Sequence, residues 1–280
     1  MMVAVSATDP ADQVNLLAGS FTKGDAFSTG NTMPLVGRPW GFNHWALQTN
    51  AGSSSWWFNG NEHEFHWIRC THQPSPWIGD YGYFMFGPQM GPFTPRPVGF
   101  FEPRAAFLRP YGMKFTTAPD GMEIKLAPTR HGAVLEVDFP GTLEKRVCFS
   151  GLDENWETRK NSGGAPRFAM YVATESNGVL ERMCYKFEGH ATVKIGTSFI
   201  SHEQARANLP PSFDEAWDEA KNEWNDLLGR VQGEGTTLYT SLYRALTFPR
   251  RIDEGGRHYS PYDGQVHKGV LVTDNGFWDT

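Results

Sequence analysis

The sequence predicts a mainly β protein: a β-sandwich that gives way to helices near residue 205. Three observations carry this. Short runs between residues 104 and 200 alternate apolar with polar residues, the period of a half-buried strand. The 280 residues include 20 Phe, 10 Trp and 9 Tyr beside 30 Gly and 19 Pro, a mixture that suits pleated faces joined by turns. After Ser201 the apolar period lengthens from that of a strand to that of a helix.

Residues 1–100 are rich in loops. Gly19–Pro34 (GSFTKGDAFSTGNTMP) has glycine or a hydroxyl residue at so many positions that irregular backbone is expected. Aromatic runs follow at Arg38–Trp45, Trp56–Phe58 and Phe65–Phe86, with short strands expected near Glu64–Cys70 and Tyr81–Phe86. Further on, Met122, Ile124 and Leu126 alternate with Glu123 and Lys125, and Val193 and Ile195 alternate with Thr192 and Lys194. Similar strands fit Ala105–Arg109, Met113–Thr117, Ala133–Phe139, Lys145–Phe149, Phe168–Thr174 and Leu180–Phe187. Asp120-Gly121, Asn161–Gly164 and Asn177-Gly178 read as hairpin turns. Many short antiparallel strands at this spacing imply a sandwich.

Ser201–Leu209 reads as a short helix or linker stopped by Pro210-Pro211. Ser212 then caps a helix, with Glu215 completing a capping box; Phe213, Trp217, Ala220, Trp224 and Leu227 follow at helical spacing up to Gly229. A second helix fits Thr236–Phe248, with Tyr239, Leu242, Tyr243 and Leu246 on one face and Pro249 ending it. The expected organisation is a sandwich over residues 1–205, a linker helix over 206–235 and the start of a helical domain over 236–280.

Composition narrows the function. A net charge of −6 gives no electrostatic reason to bind a phosphate backbone, so nucleic acid is not an expected partner. No run approaches a membrane span. The N-terminus lacks the basic and apolar regions of a signal peptide, so the chain reads as cytoplasmic if that terminus is complete. Cys70, Cys148 and Cys184 form no CxxC; one bridge is possible, and the spacing demands none. There is no HExxH, no EF-hand loop, no GxSxG and no phosphate-binding glycine loop. Carbohydrate chemistry remains: a pair of carboxyls, fixed donors for sugar hydroxyls and an aromatic floor. Trp278-Asp279, in the turn-rich stretch Arg257–Thr280, fits the last two; Asp279 is a sugar acceptor or a helix cap. His72 is a sugar-hydroxyl donor or a satisfied loop histidine, and Asp80 reads as a turn residue.

These segments together resemble glycoside hydrolase family 92, the calcium-dependent exo-α-mannosidases. Tyr239–Glu254 (YTSLYRALTFPRRIDE) and His258–Thr280 (HYSPYDGQVHKGVLVTDNGFWDT) resemble the opening of the family's catalytic domain. Upstream, VNLLAGS (Val14–Ser20), GNTMP (Gly30–Pro34), THQPSPWIGDYG (Thr71–Gly82) and TSFISHEQARANL (Thr197–Leu209) resemble family segments in the same order. The resemblance implies an N-terminal sandwich, a helical linker and an (α/α)6 barrel, with the active site between sandwich and barrel. It implies an inverting mechanism on terminal α-mannosides of N-glycans or mannans, with calcium as cofactor and mannose-containing glycans as partners. It places Trp278 and Asp279 around the terminal mannose, and His72, Trp77 and Ile78 in a neighbouring loop. Its acid, base and main calcium ligands lie beyond the NGFWD motif, so none is carried over, and the 280 residues alone are expected to be inactive. Gln73–Ile78 departs from the family's usual loop, which puts linkage preference in doubt. Many members are secreted or periplasmic. A non-catalytic carbohydrate-binding sandwich and a peptide N-glycanase-like amidase are the alternatives; the second would need an activated cysteine, and no cysteine here has that setting.

Overall fold

Two antiparallel sheets form from the alternating runs in the computed structural model, which describes residues 9–23, 29–50, 56–73, 75–80, 82–158, 168–175 and 178–273. In chain order their strands are β1 (Val36–Gly37), β2 (His44–Gln48), β3 (Trp67–Thr71), β4 (Phe84–Met90), β5 (Phe107–Arg109), β6 (Gly112–Thr116) and β7 (Glu123–Pro128). They continue with β8 (Gly132–Asp138), β9 (Lys145–Ser150), β10 (Ala169–Thr174), β11 (Val179–Glu181), β12 (Cys184–Phe187) and β13 (Ala191–Ser198). One sheet runs β1-β2-β3-β4-β9-β12-β11 and the other β10-β13-β8-β7-β6-β5. Trp45, Ile68, Phe84 and Val147 of the first and Met113, Ile124, Leu135 and Ile195 of the second bury into one continuous core. The molecule is thus a β-sandwich.

Three helices follow: α1 (His202–Ala207), α2 (Phe213–Leu228) and α3 (Thr236–Thr247). Helix α2 starts with the capping box expected of Ser212 and Glu215, both reciprocal bonds being present. It lies on the outer face of the second sheet, where Phe213 and Ala216 meet Ala127 and Val134. Its C-terminal half reaches the main core through Ala220, Trp224 and Leu228. Leu228, not the neighbouring Leu227, is the buried leucine. The indole of Trp224 donates to the Gly37 carbonyl at 2.7 Å, and the hydroxyl of Tyr243 on α3 donates to the Leu35 carbonyl. The two helices thereby clasp β1, the edge of the first sheet.

Some strands differ from expectation. His44–Gln48 is a strand buried along its whole length. A strand covered on both faces shows no alternation for a sequence pattern to reveal. Residues 180–187 form not one strand but two, β11 and β12, reversing at Arg182 with φ 58°. The Asp120-Gly121 turn joins β6 to β7, with Gly121 at φ 70°. The Asn161–Gly164 turn and Asn177 lie outside the described residues. Cys148 and Cys184, register partners on β9 and β12, form a disulfide, and Cys70 is a buried thiol. Among the described residues no helix is long and apolar enough to cross a membrane.

Candidate functional site

The loop from Thr71 to Gly82 leaves β3 and returns into β4, and it is braced from beneath by a buried ion pair. Arg69 and Asp80 approach to 3.4 Å with side chains 2% and 4% exposed. Asp80 also accepts from the Thr71 hydroxyl at 2.5 Å and from the backbone amides of His72 (3.2 Å) and Gly82 (3.1 Å). The Arg69 guanidinium lies over the Tyr83 ring at 3.7 Å and near that of Trp57 at 5.2 Å. Asp80 is therefore the buckle of the loop, where four donors converge on one carboxylate.

His72 faces inward. It is 0% exposed; one ring nitrogen bonds the Gly82 carbonyl and the other lies 3.0 Å from the Asn43 side-chain oxygen. Asn43 in turn donates to the Thr197 hydroxyl at 2.7 Å, linking the loop to the second sheet. Of the two roles open to His72, this geometry is that of a satisfied histidine inside the fold, with its surface turned away from solvent. Trp77 is at the tip of the loop and 55% exposed, and Ile78 beside it is half-buried in a turn closed on the Ser75 carbonyl at 3.1 Å. Trp278 and Asp279 lie outside the described residues.

Trp77 is paired. Its ring meets that of Trp56 edge-to-face, with centroids 4.8 Å apart and planes at 87°. The Trp56 indole donates to the Asn31 side chain at 3.1 Å, fixing the aromatic pair to the Gly30–Pro34 loop. Asn31 and Ser75 then open onto a cavity of about 160 Å3 whose far wall is α3 and the residue after it, with Tyr243, Arg244, Thr247 and Phe248. Three segments remote in sequence therefore meet at one place: Gly30–Pro34, the Thr71–Gly82 loop and the end of α3. Asn31, Trp56 and Arg244 were not singled out from sequence. Asn31 stood inside a recognised segment and Trp56 inside an aromatic run, but their pairing spans distances no local pattern encodes.

The cavity is lined by amide, hydroxyl, aromatic and guanidinium groups and by no carboxylate among the described residues. Arg244 donates to the Ala18 carbonyl at 2.8 Å, and burial lowers its pKa. The arrangement can hold hydroxyl groups and stack an apolar face; it offers no acid and base. Among the described residues no three His, Cys, Asp or Glu side chains gather where a metal ion could sit.

The ground beneath the loop is sensitive to acid. Burial, then Arg250, then His72 holds His44 well below 6.5; burial, then Arg250, does the same to His72; burial lowers His131. The folded state therefore binds fewer protons than the unfolded chain below that value. The stability from these groups is complete above about pH 6.5 and is lost as pH falls through and below it. Glu254 works the other way, because burial raises its pKa, but three imidazoles oppose one carboxyl. The melting temperature should fall as pH is lowered from about 7.5 to about 5, followed by circular dichroism; a flat profile would contradict this.

The family model described as the glycosyl hydrolase family 92 N-terminal domain matches residues 13–203, and that of the family 92 catalytic domain matches residues 201–280. Among solved structures, a family GH92 inverting mannosidase of Bacteroides thetaiotaomicron VPI-5482 superposes with a TM-score of 0.84 at 33% identity, over 97% of this chain and 45% of its own. A family GH92 alpha-mannosidase of Bacteroides thetaiotaomicron gives 0.76 at 16% identity, over 95% and 45%. Its complex with mannoimidazole gives 0.75 at 16%, over 95% and 44%. At 16% identity these two show the fold alone. The chain spans a little under half the length of these solved relatives. No curated protein matches the chain.

Proposed function

The chain belongs to glycosyl hydrolase family 92, and on that premise we propose that it forms the sandwich and the first catalytic-domain segment of an inverting exo-α-mannosidase. The substrates are terminal α-mannosides of N-glycans or mannans. The observation that carries this is the meeting of the Gly30–Pro34 loop, the Thr71–Gly82 loop and α3 around one cavity beside the exposed Trp56–Trp77 pair. Indole faces pack on the C–H faces of a sugar, while Asn31, Ser75 and Thr247 suit its hydroxyls.

Inversion needs two carboxyl groups about 6.5–9.5 Å apart, one to protonate the leaving oxygen and one to activate water. Among the described residues the cavity walls hold none; as the resemblance implies, the proposal gives both groups, with the ligands of the calcium ion, to the remainder of a longer enzyme. Trp278 and Asp279 keep their proposed role at the terminal mannose, with Trp77 and Ile78 on the leaving-group side. His72 supports the loop from within and joins the sugar site only through it. The Cys148–Cys184 disulfide favours an oxidising compartment over the cytoplasm.

The test is proton NMR of α-mannobiose turnover by the full-length enzyme. Inversion releases β-mannose first; α-mannose as the first product would exclude it. Trp77→Ala should lower kcat/KM about tenfold, the order expected for one lost sugar-stacking ring. An unchanged kcat/KM would remove Trp77 from the site.

A further inference from the structure

The sandwich carries a second groove at its open side, built from residues the mannosidase reading does not use. It is open to solvent along its length, has a volume of about 710 Å3, within the range of small-molecule sites, and shares no lining residue with the cavity at α3. Its walls come from β10, the outermost strand of one sheet, from β12, next to the outermost strand of the other, from the turn after β9, and from the first residue of α1. Trp156, Tyr171 and Tyr185 supply half-buried rings, and Asn155, Glu157 and His202 supply polar groups.

The groove is held in shape. Trp156 has φ 59°, a left-handed conformation uncommon for a bulky residue and one that persists only where neighbours impose it. Asp153 imposes it. Its side chain accepts from the amides of Asn155 (2.9 Å) and Glu157 (3.1 Å), and its carbonyl accepts from the Trp156 amide at 3.1 Å. The Trp156 ring then rests on Phe149, centroids 5.4 Å apart, and near Tyr185 at 6.2 Å. Glu157, its side chain 16% exposed, faces the His202 ring at 3.5 Å.

The chemistry selects an occupant. Three rings ask for a ligand with flat apolar faces. A carboxylate, an imidazole, an amide and two phenols ask for hydroxyls on its edges. A purely apolar ligand would bury Glu157 and His202 against groups that cannot bond them. An anion would meet the Glu157 carboxylate. We propose that this groove is a second carbohydrate-binding site, distinct from the cavity at α3, and that it takes a neutral mannose-containing oligosaccharide. The choice of mannose rests on the mannosidase reading; the choice of a sugar rests on the groove. Such a site would hold a branched glycan or mannan to the sandwich while its termini are trimmed elsewhere.

Calorimetric titration of the 280-residue chain with α-mannotriose, and separately with cellotriose, tests it. Saturable mannotriose binding is expected. It should weaken about tenfold in Trp156→Gly, which removes the ring and suits the left-handed backbone, and in Tyr171→Ala on the edge strand. Phe93→Ala, which removes an exposed ring that lines neither sugar site, should leave this affinity unchanged. Far-UV circular dichroism and the melting temperature of each variant establish that it is folded. The proposal is overturned if neither sugar binds, if both folded groove variants bind like the wild type, or if Trp77→Ala abolishes all binding. Cellotriose binding that depends on Trp156, without mannotriose binding, would uphold a sugar site and overturn its mannose assignment. The product-stereochemistry assay on the full-length enzyme stands apart from all of these outcomes.

Discussion

Replacing Asp80 with alanine should destabilise the chain by about 3–5 kcal/mol, the cost of leaving one partner of a buried ion pair alone. The carboxylate is 4% exposed and receives Arg69, the Thr71 hydroxyl and two backbone amides. Its removal strands a guanidinium that is 2% exposed, stacked on Tyr83 and unable to reach water without moving the loop. Burial already lowers the pKa of Arg69, with Asp80 as the first influence opposing it. The loss is a large part of the roughly 5–15 kcal/mol that holds a typical domain folded. Asp80→Asn keeps one oxygen, enough for the two backbone amides, but turns an NH2 towards Arg69 and the Thr71 hydroxyl and gives up the charge, so it should fall between wild type and Asp80→Ala. Urea unfolding of the three proteins measures this. A midpoint unchanged in Asp80→Ala would show that the loop is braced by something other than the ion pair.

Trp224→Ala should cost a comparable amount, about 3–5 kcal/mol, through a different mechanism. The indole is 1% exposed and packs against Tyr243 with ring centroids 5.2 Å apart. Truncation opens a cavity between α2, α3 and β1 and leaves the Gly37 carbonyl without its 2.7 Å donor. Trp224→Phe refills most of the volume but supplies no donor, so about 1–2 kcal/mol should remain. The comparison separates packing from hydrogen bonding. A Phe variant as unstable as the Ala variant would mean that the bond, not the volume, holds the helices to the sheet.

Local chemistry was readable in the sequence, and long-range chemistry was not. The capping box of Ser212 and Glu215 lies within one turn of helix, and the alternation of Ile124 and Leu126 needs only one wet and one dry face. The sandwich followed by helices therefore emerges from pattern alone. Strand β2 gave no such signal because both its faces are covered. The reversal at Arg182 places a left-handed conformation on a residue that does not advertise one. At the site, Asp80 looked like a turn residue because its partner Arg69 sits in another element. The inward bonds of the His72 ring to Gly82 and Asn43, and the contacts of Trp77 with Trp56 and of Trp56 with Asn31, join separate segments, so no local pattern encodes them. The family segments marked which stretches matter; the fold shows that three of them share a cavity.

These residues are proposed to form one wall of an exo-α-mannosidase whose proton-transfer groups and calcium ligands belong to the remainder of a longer enzyme. Mannose release from α-mannobiose tests it most directly, measured in parallel for the full-length enzyme, for that enzyme with EDTA, and for the 280-residue chain. The account predicts release by the first, loss of release with EDTA that is restored by added calcium, and none from the third. Release of mannose by the 280-residue chain alone, or none by the full-length enzyme in calcium, would contradict it.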